Sequence, residues 1–202
     1  METSNRLHEI LYTAHISAVS LKKYKMGDNI PLIDSVAWVI DGVVGCDGYH
    51  PAKDVFVTIR LAANGSMLNL ENVFSKGGEA RKYVCETPVA VIAVMSIADF
   101  KAIVKKDNLL ANVVAEIHDH SVTAVETTLG VSHGTASDKV MWAIQRYKKI
   151  TKCADIIPML KIRIAAHTGI APESVSRALK QLVCQGEITT KTNISVTLKE
   201  AS

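Results

Sequence analysis

One stretch, residues 162–186, reading IRIAAHTGIAPESVSRALKQLVCQG, restricts the fold of this 202-residue chain more than any other. Ile162, Ala165 and Ala166 recur along one face of a first helix, and Val175, Ala178, Leu179 and Leu182 form the apolar line of a second. Between them Gly169 can take positive φ, and Pro172 stands where the first turn of a helix tolerates a missing N–H. The spacing predicts a helix-turn-helix, with alanines that let the two helices approach closely. The outer face of the second helix carries Glu173, Ser174, Arg177 and Lys180. A carboxylate can accept from the cytosine amino group, a guanidinium can donate to guanine, and a lysine can meet phosphate. The same residues also fit a solvated helix on which Glu173 and Arg177, four apart, form a surface ion pair worth ~0.3 to 0.5 kcal/mol.

The charge distribution bears on that choice. Residues 1–138 hold 12 Lys and Arg against 16 Asp and Glu, a balance of −4; residues 139–202 hold 11 against 4, a balance of +7. A larger acidic region joined to a small basic one suggests that the C-terminal third meets a polyanion. A basic cluster such as Arg146, Lys148, Lys149 and Lys152 also fits a solvated face. With 48% hydrophobic residues and only 5% aromatics, the cores must be built from Val, Ile, Leu and Ala. No apolar run approaches a membrane span and the start METSNRLHE is polar, so no membrane partner and a cytoplasmic location are expected. Cys46, Cys85, Cys153 and Cys184 stand far apart with no C-x-x-C pair, which suits isolated, buried thiols better than a disulfide frame or a metal knuckle; no cofactor is expected.

Along the chain, Leu7, Ile10, Leu11 and Ala14 predict a short opening helix. Between residues 16 and 95, short runs (AWVI, VVG, DVFVTIRL, KYVCETPVAVIAV) alternate with turn signals (KMGD, IDGV, CDGYHP, ANGS, KGGE), which predicts an antiparallel β-roll. A short helix over 97–105 precedes a long one over 108–129, with Leu110, Val114, Ile117, Ser121, Ala124 and Thr128 at heptad-like spacing. That stripe can face the core or a second copy, and a dimer interface is favoured. The run LGVSHGTAS is the expected hinge. A further helix over 136–152 buries Val140, Ala143, Ile144, Tyr147 and Ile150, and EITTKTNISVTL predicts a two-stranded wing with Lys191 near its tip. The expected architecture is α+β: a β-roll over 1–106, a dimerisation helix over 107–130 and a winged helix over 131–202.

This order of parts, with IAAHTGIAPESVSRALKQL, resembles the family of the catabolite activator (cyclic-AMP receptor protein) and the fumarate–nitrate regulator. The resemblance covers nearly the whole chain and is most specific in V-S-R-A-L-K-Q-L. It implies a bacterial, homodimeric transcription regulator that inserts one recognition helix per subunit into successive major grooves of double-stranded DNA, with RNA polymerase and a small-molecule effector as further candidate partners. By position it assigns base reading to Glu173 and Arg177 and a phosphate contact to Lys180; Pro172 stands where the catabolite activator has another base-reading arginine, so a different operator is implied. The family's cyclic-nucleotide pocket uses a Gly-Glu pair and an Arg followed by Ser or Thr. Here GSMLNLENVFSKGGEARKYV places Asn69 and Leu70 at the first pair, with Glu71 one place along, and follows Arg81 with Lys82. Leucine cannot accept a ribose hydrogen bond, a loss of ~1 to 3 kcal/mol, so cyclic AMP is not expected to be a tight effector. Arg81 is then expected at the surface or in an ion pair.

Two other classes of protein fit the sequence less well. A cupin-like metal-dependent enzyme would need histidines converging from the strands, and His50 is the only one between residues 16 and 95. A protein-binding adaptor with a structural helix-turn-helix leaves the basic C-terminal third unexplained. His118 and His120 in IHDH point to different sides of a helix and cannot converge on one haem iron. No catalytic constellation stands out.

Overall fold

The short apolar runs in the first half of the chain are realised as strands of two antiparallel sheets. In the computed structural model, which describes residues 4–74, 81–152, 157–158, 160–192 and 195–198, β1 (Ser20–Lys25), β7 (Val89–Ser96), β2 (Ser35–Asp41) and β5 (Met67–Leu68) lie side by side in that order. The second sheet runs β4 (Val55–Ala62), β3 (Val44–His50), β6 (Arg81–Cys85). Strand β2 is buried on both faces. Ala37 and Val39 join Ile92 and Val94 of β7 in the core against the second sheet, with Val44, Cys46 and Tyr83 opposite. Val36 and Trp38 face the other way, with Ala93 and Met95, onto a helical layer. That layer is α1 (Ser4–Ala14), α2 (Glu71–Phe74), α3 (Ile97–Lys106) and the start of α4 (Leu110–Ser132), through Leu7, Leu11, Val73, Phe100 and Val113.

The strands differ from the expected runs at one turn and include one segment that the runs did not name. CDGYHP is not a turn: Cys46, Asp47 and Gly48 continue β3 through a register shift between Cys46 and Asp47, and the chain reverses at Pro51–Lys53 instead. Asp47 disfavours a strand by itself, but its carboxylate is held by buried partners that outweigh local preference. SLKKYK, which carries no apolar alternation, is β1. It lies at a sheet edge with its lysines exposed, a charged pattern that blunts edge-to-edge pairing.

Helix α4 runs to Ser132, past the expected hinge residue Gly130. A Cβ on Gly130 would overlap the Trp142 indole, so this glycine permits a close crossing with α5 (Ala136–Thr151) rather than a bend. The break comes at residues 133–135. Gly134 has φ +87°, and Thr135 with Asp138 forms a capping box that starts α5. Then follow β8 (Ile157–Pro158), α6 (Lys161–Thr168), α7 (Pro172–Cys184) and the two wing strands β9 (Ile188–Thr192) and β10 (Ser195–Leu198), paired in the order β8-β10-β9. The expected buried faces of α5 and α7 are present, in one core containing Val140, Ile144, Tyr147, Ile164, Val175, Ala178, Leu179, Leu182 and Ile188. Val43 and Leu61 of the β-roll complete that core, so its apolar interior spans both modules.

Candidate nucleic-acid interface

Helix α6 ends at Gly169, whose backbone is left-handed (φ +64°, ψ +22°) and whose N–H returns to the Ala165 carbonyl. Pro172 then opens α7 as anticipated. Val175, Ala178, Leu179 and Leu182 are buried, which turns the opposite side of α7 outward. Glu173, Arg177 and Lys180 are exposed and Ser174 is half-buried. Arg177 Nη2 donates to Ser174 Oγ at 3.2 Å, and no ion pair joins Arg177 to Glu173 among the described residues. The guanidinium is therefore presented beside a hydroxyl one turn earlier, with donors to spare for a ligand. The Lys191 backbone lies on β9, while its side chain lies outside the described residues.

The buried face of α6 differs from the expected one. Ile162 is 60% exposed, whereas Arg163, Ile164, Ala165, His167 and Thr168 are buried. The helix is covered on two sides, by α7 and by the β-roll, and its polar residues face the second. Sequence reasoning missed Arg163 and His167 because a basic residue in a basic domain is read as solvated; their spacing of one helical turn was the available signal. The α5 cluster divides similarly. Lys149 and Lys152 are exposed and Lys148 half-buried, but Arg146 lies against Trp142, its guanidinium carbon 5.3 Å from the ring centre, and burial lowers its pKa to about 10.

Behind this module, the residues expected around an effector are mostly structural. Asn69 is buried at φ +65° and donates to the carbonyls of Leu32 and Ser35 at 3.0 and 2.8 Å. Leu70 is fully buried in the core beneath the helical layer. Lys82 stands on the opposite strand face from Arg81, its ammonium 4.0 Å from the Phe56 ring centre. Glu71 and Arg81 do come together, at 3.2 Å. Glu71 Oε1 also lies 3.1 Å from His120 Nδ1, and His120 Nε2 lies 3.1 Å from Glu116 Oε1. Glu116 in turn accepts from the Met67 N–H at 3.3 Å. Burial would raise the Glu71 pKa, but the His120 hydrogen bond and the Arg81 charge hold it at about 2. His118, by contrast, is exposed.

On α4, Leu110, Val114, Ser121 and Thr128 are exposed, as are Val122, Val125 and Leu129. Ile117 packs against the protomer's own core and Ala124 is half-buried. The large exposed apolar side chains therefore follow 110, 114, 122, 125 and 129 rather than the heptad read from sequence. Cys46 and Cys85 are buried, and burial raises both thiol pKa values; Cys184 is exposed, against the expectation of burial, and Cys153 lies outside the described residues. No group of three His, Cys, Asp or Glu side chains that could hold a metal occurs among the described residues, and none of their helices is long and apolar enough to cross a membrane.

No protein-family model and no curated protein matches the sequence. Solved structures do match the fold. The c-di-GMP-responsive global regulator CLP of Xanthomonas campestris superposes with a TM-score of 0.76 at 12% identity, over 92% of this chain and 96% of that one. FixK2 of Bradyrhizobium japonicum gives 0.69 at 17%, over 90% and 93%. A CRP-family transcriptional regulator of Thermus thermophilus gives 0.70 at 18%, over 88% and 91%. The chain thus has the fold of these regulators over about nine-tenths of its length, as its motif order implied.

Proposed function

We propose that this chain is a sequence-specific, DNA-binding transcription regulator of the CRP/FNR type, acting as a cytoplasmic homodimer and reading the major groove with α7. The observation that carries the reading is the outward presentation of Glu173, Arg177 and Lys180 from a helix whose other side is locked into a core. Contacts by Arg177 and Glu173 would supply sequence discrimination of about 1 to 3 kcal/mol each, while Lys180 and Lys191 would add phosphate contacts. The exposed apolar line on α4, from Leu110 to Leu129, supports pairing of two copies. Selection of duplexes from a random pool tests the reading. Recovery of a near-palindromic motif is expected, and an unenriched pool would overturn it.

The regulator works without cyclic AMP. The carboxylate of Glu71 already engages Arg81, and Leu70 is committed to the core. Titration calorimetry with cyclic AMP should show no tight binding, and a submicromolar site would reject this part. A nonstandard effector is the second reading. It is favoured by a cleft of about 760 Å³ between the β3–β4 hairpin, α4 and the α6–α7 turn, lined by His50, Lys53 and Lys139.

A further inference from the structure

Two elements of the C-terminal module converge on one buried residue of the β-roll. Glu86, immediately after β6, receives Arg163 Nε and Nη2 on Oε1 at 2.9 and 2.6 Å. His167, one turn further along α6, places Nε2 at 3.0 Å from the same oxygen, and Tyr147 of α5 donates its hydroxyl to the Glu86 carbonyl at 2.8 Å. Asp47 grips the far side of the guanidinium, accepting from Nη1 and Nη2 at 2.7 and 2.8 Å, and is itself held by the Thr58 hydroxyl at 2.7 Å. Room for this cluster depends on Gly45, because a Cβ there would overlap Glu86 Oε1 and lie 2.6 Å from Arg163 Nη2.

Such a cluster is a poor device for stability alone. Removing a guanidinium and two carboxylates from water is costly, and packed apolar side chains often serve as well. Val43 and Leu61 already give the two modules an apolar joint. What the planar fork adds is direction: donors on two edges, each matched to a fixed carboxylate, define the position of α6, whereas apolar contacts permit sliding. Helix α7 follows α6 through a three-residue turn and shares its core, so it moves with α6. Lys53 adds a bond from the β3–β4 hairpin to the Gly169 carbonyl, at 3.1 Å.

We propose that Arg163, clamped between Asp47 and Glu86, is a positioning residue that sets the angle of the DNA-reading helix against the β-roll, so that discrimination by Arg177 depends on carboxylates that never approach DNA. The inference rests on the DNA-reading function proposed above. Its test uses the full-length chain with a donor dye on Cys184 of α7 and an acceptor on the β-roll side at Lys101→Cys, in a Cys153→Ser background. Labelled protein is mixed with excess unlabelled protein so that each dimer carries one labelled protomer.

Single-molecule energy transfer should give one narrow distance in the parent and a broad distribution in Glu86→Gln and in Arg163→Lys, which keeps the charge but loses the fork. The preference for a duplex selected by the parent over random duplex should fall at least about tenfold. Affinity for random duplex, set by phosphate contacts, should change by less than about threefold. Should either single variant fail to fold, the combined Arg163→Met, Asp47→Asn, Glu86→Gln chain removes the charges together and should show the same broadening and loss of preference. An unchanged distance distribution, or broadening with intact preference, overturns the proposal. If the parent selects no duplex, the DNA-reading function fails, while the energy-transfer arm still decides whether Arg163 fixes the angle.

Discussion

Glu71 and Glu86 behave alike although they belong to separate ion-pair clusters of the β-roll. For Glu86, burial would raise the pKa, but His167 and Arg163 bring it to about 2; Glu71 is held equally low. A carboxylate depressed in the folded state adds stability that is fully present above its unfolded value near 4.5 and is lost as pH falls through the folded value. Denaturant titrations should therefore show stability falling between about pH 4.5 and 2, and Glu71→Gln should flatten that slope. A slope identical to the parent's would remove Glu71 from the account. Gly45→Ala should destabilise the fold by about 1 to 3 kcal/mol through the overlap with Glu86 and Arg163, read as a lower melting temperature. At this scale the sequence was only partly legible. Glu173 and Arg177 could be placed because a helix with a strong apolar line leaves no choice about its outer face. Arg163 and Asp47 could not, since they lie 116 positions apart and neither the strand nor the helix signals that the other will meet it.

Helices with one apolar face are read most easily, and α5 and α7 bury the residues their spacing names. Leu182→Ala should accordingly cost about 2 to 5 kcal/mol; calorimetry showing less than 1 kcal/mol would mean that α7 is not anchored as described. Elements covered on two sides misled the pattern. Helix α6 buries Arg163 and His167 where periodicity alone chose Ile162. The edge strand β1 has no alternation to detect because its lysines do the work of solubility. Gly130 looks like a hinge in sequence and is a contact in space. Gly130→Ala should thus lower thermal stability by forcing Trp142 aside, although alanine is the better helix former. A gain in stability would indicate that the two helices do not cross there.

For the molecule as a whole, the large apolar side chains left exposed on α4 are Leu110, Val114, Val122, Val125 and Leu129. Placing charge in that line, as in Val125→Asp with Leu129→Asp, should convert a dimer to monomer by sedimentation and weaken binding to a palindromic duplex much more than to a half-site. A variant that remained dimeric would move the subunit contact elsewhere. Binding to any duplex should weaken linearly in log–log plots against salt. The β-roll, long helix and winged helix were all readable from the order of turn-rich and helical stretches, but their union was not: Val43 and Leu61 look like ordinary strand residues, yet the fold places them in one core with Ile144 and Leu179. That joint limits what evolution or an engineer can exchange. A chimaera grafting this winged helix onto a foreign β-roll would arrive with a hole where two side chains belong, so the proposed DNA specificity should be more readily altered by swapping the outward residues of α7 than by transplanting the module.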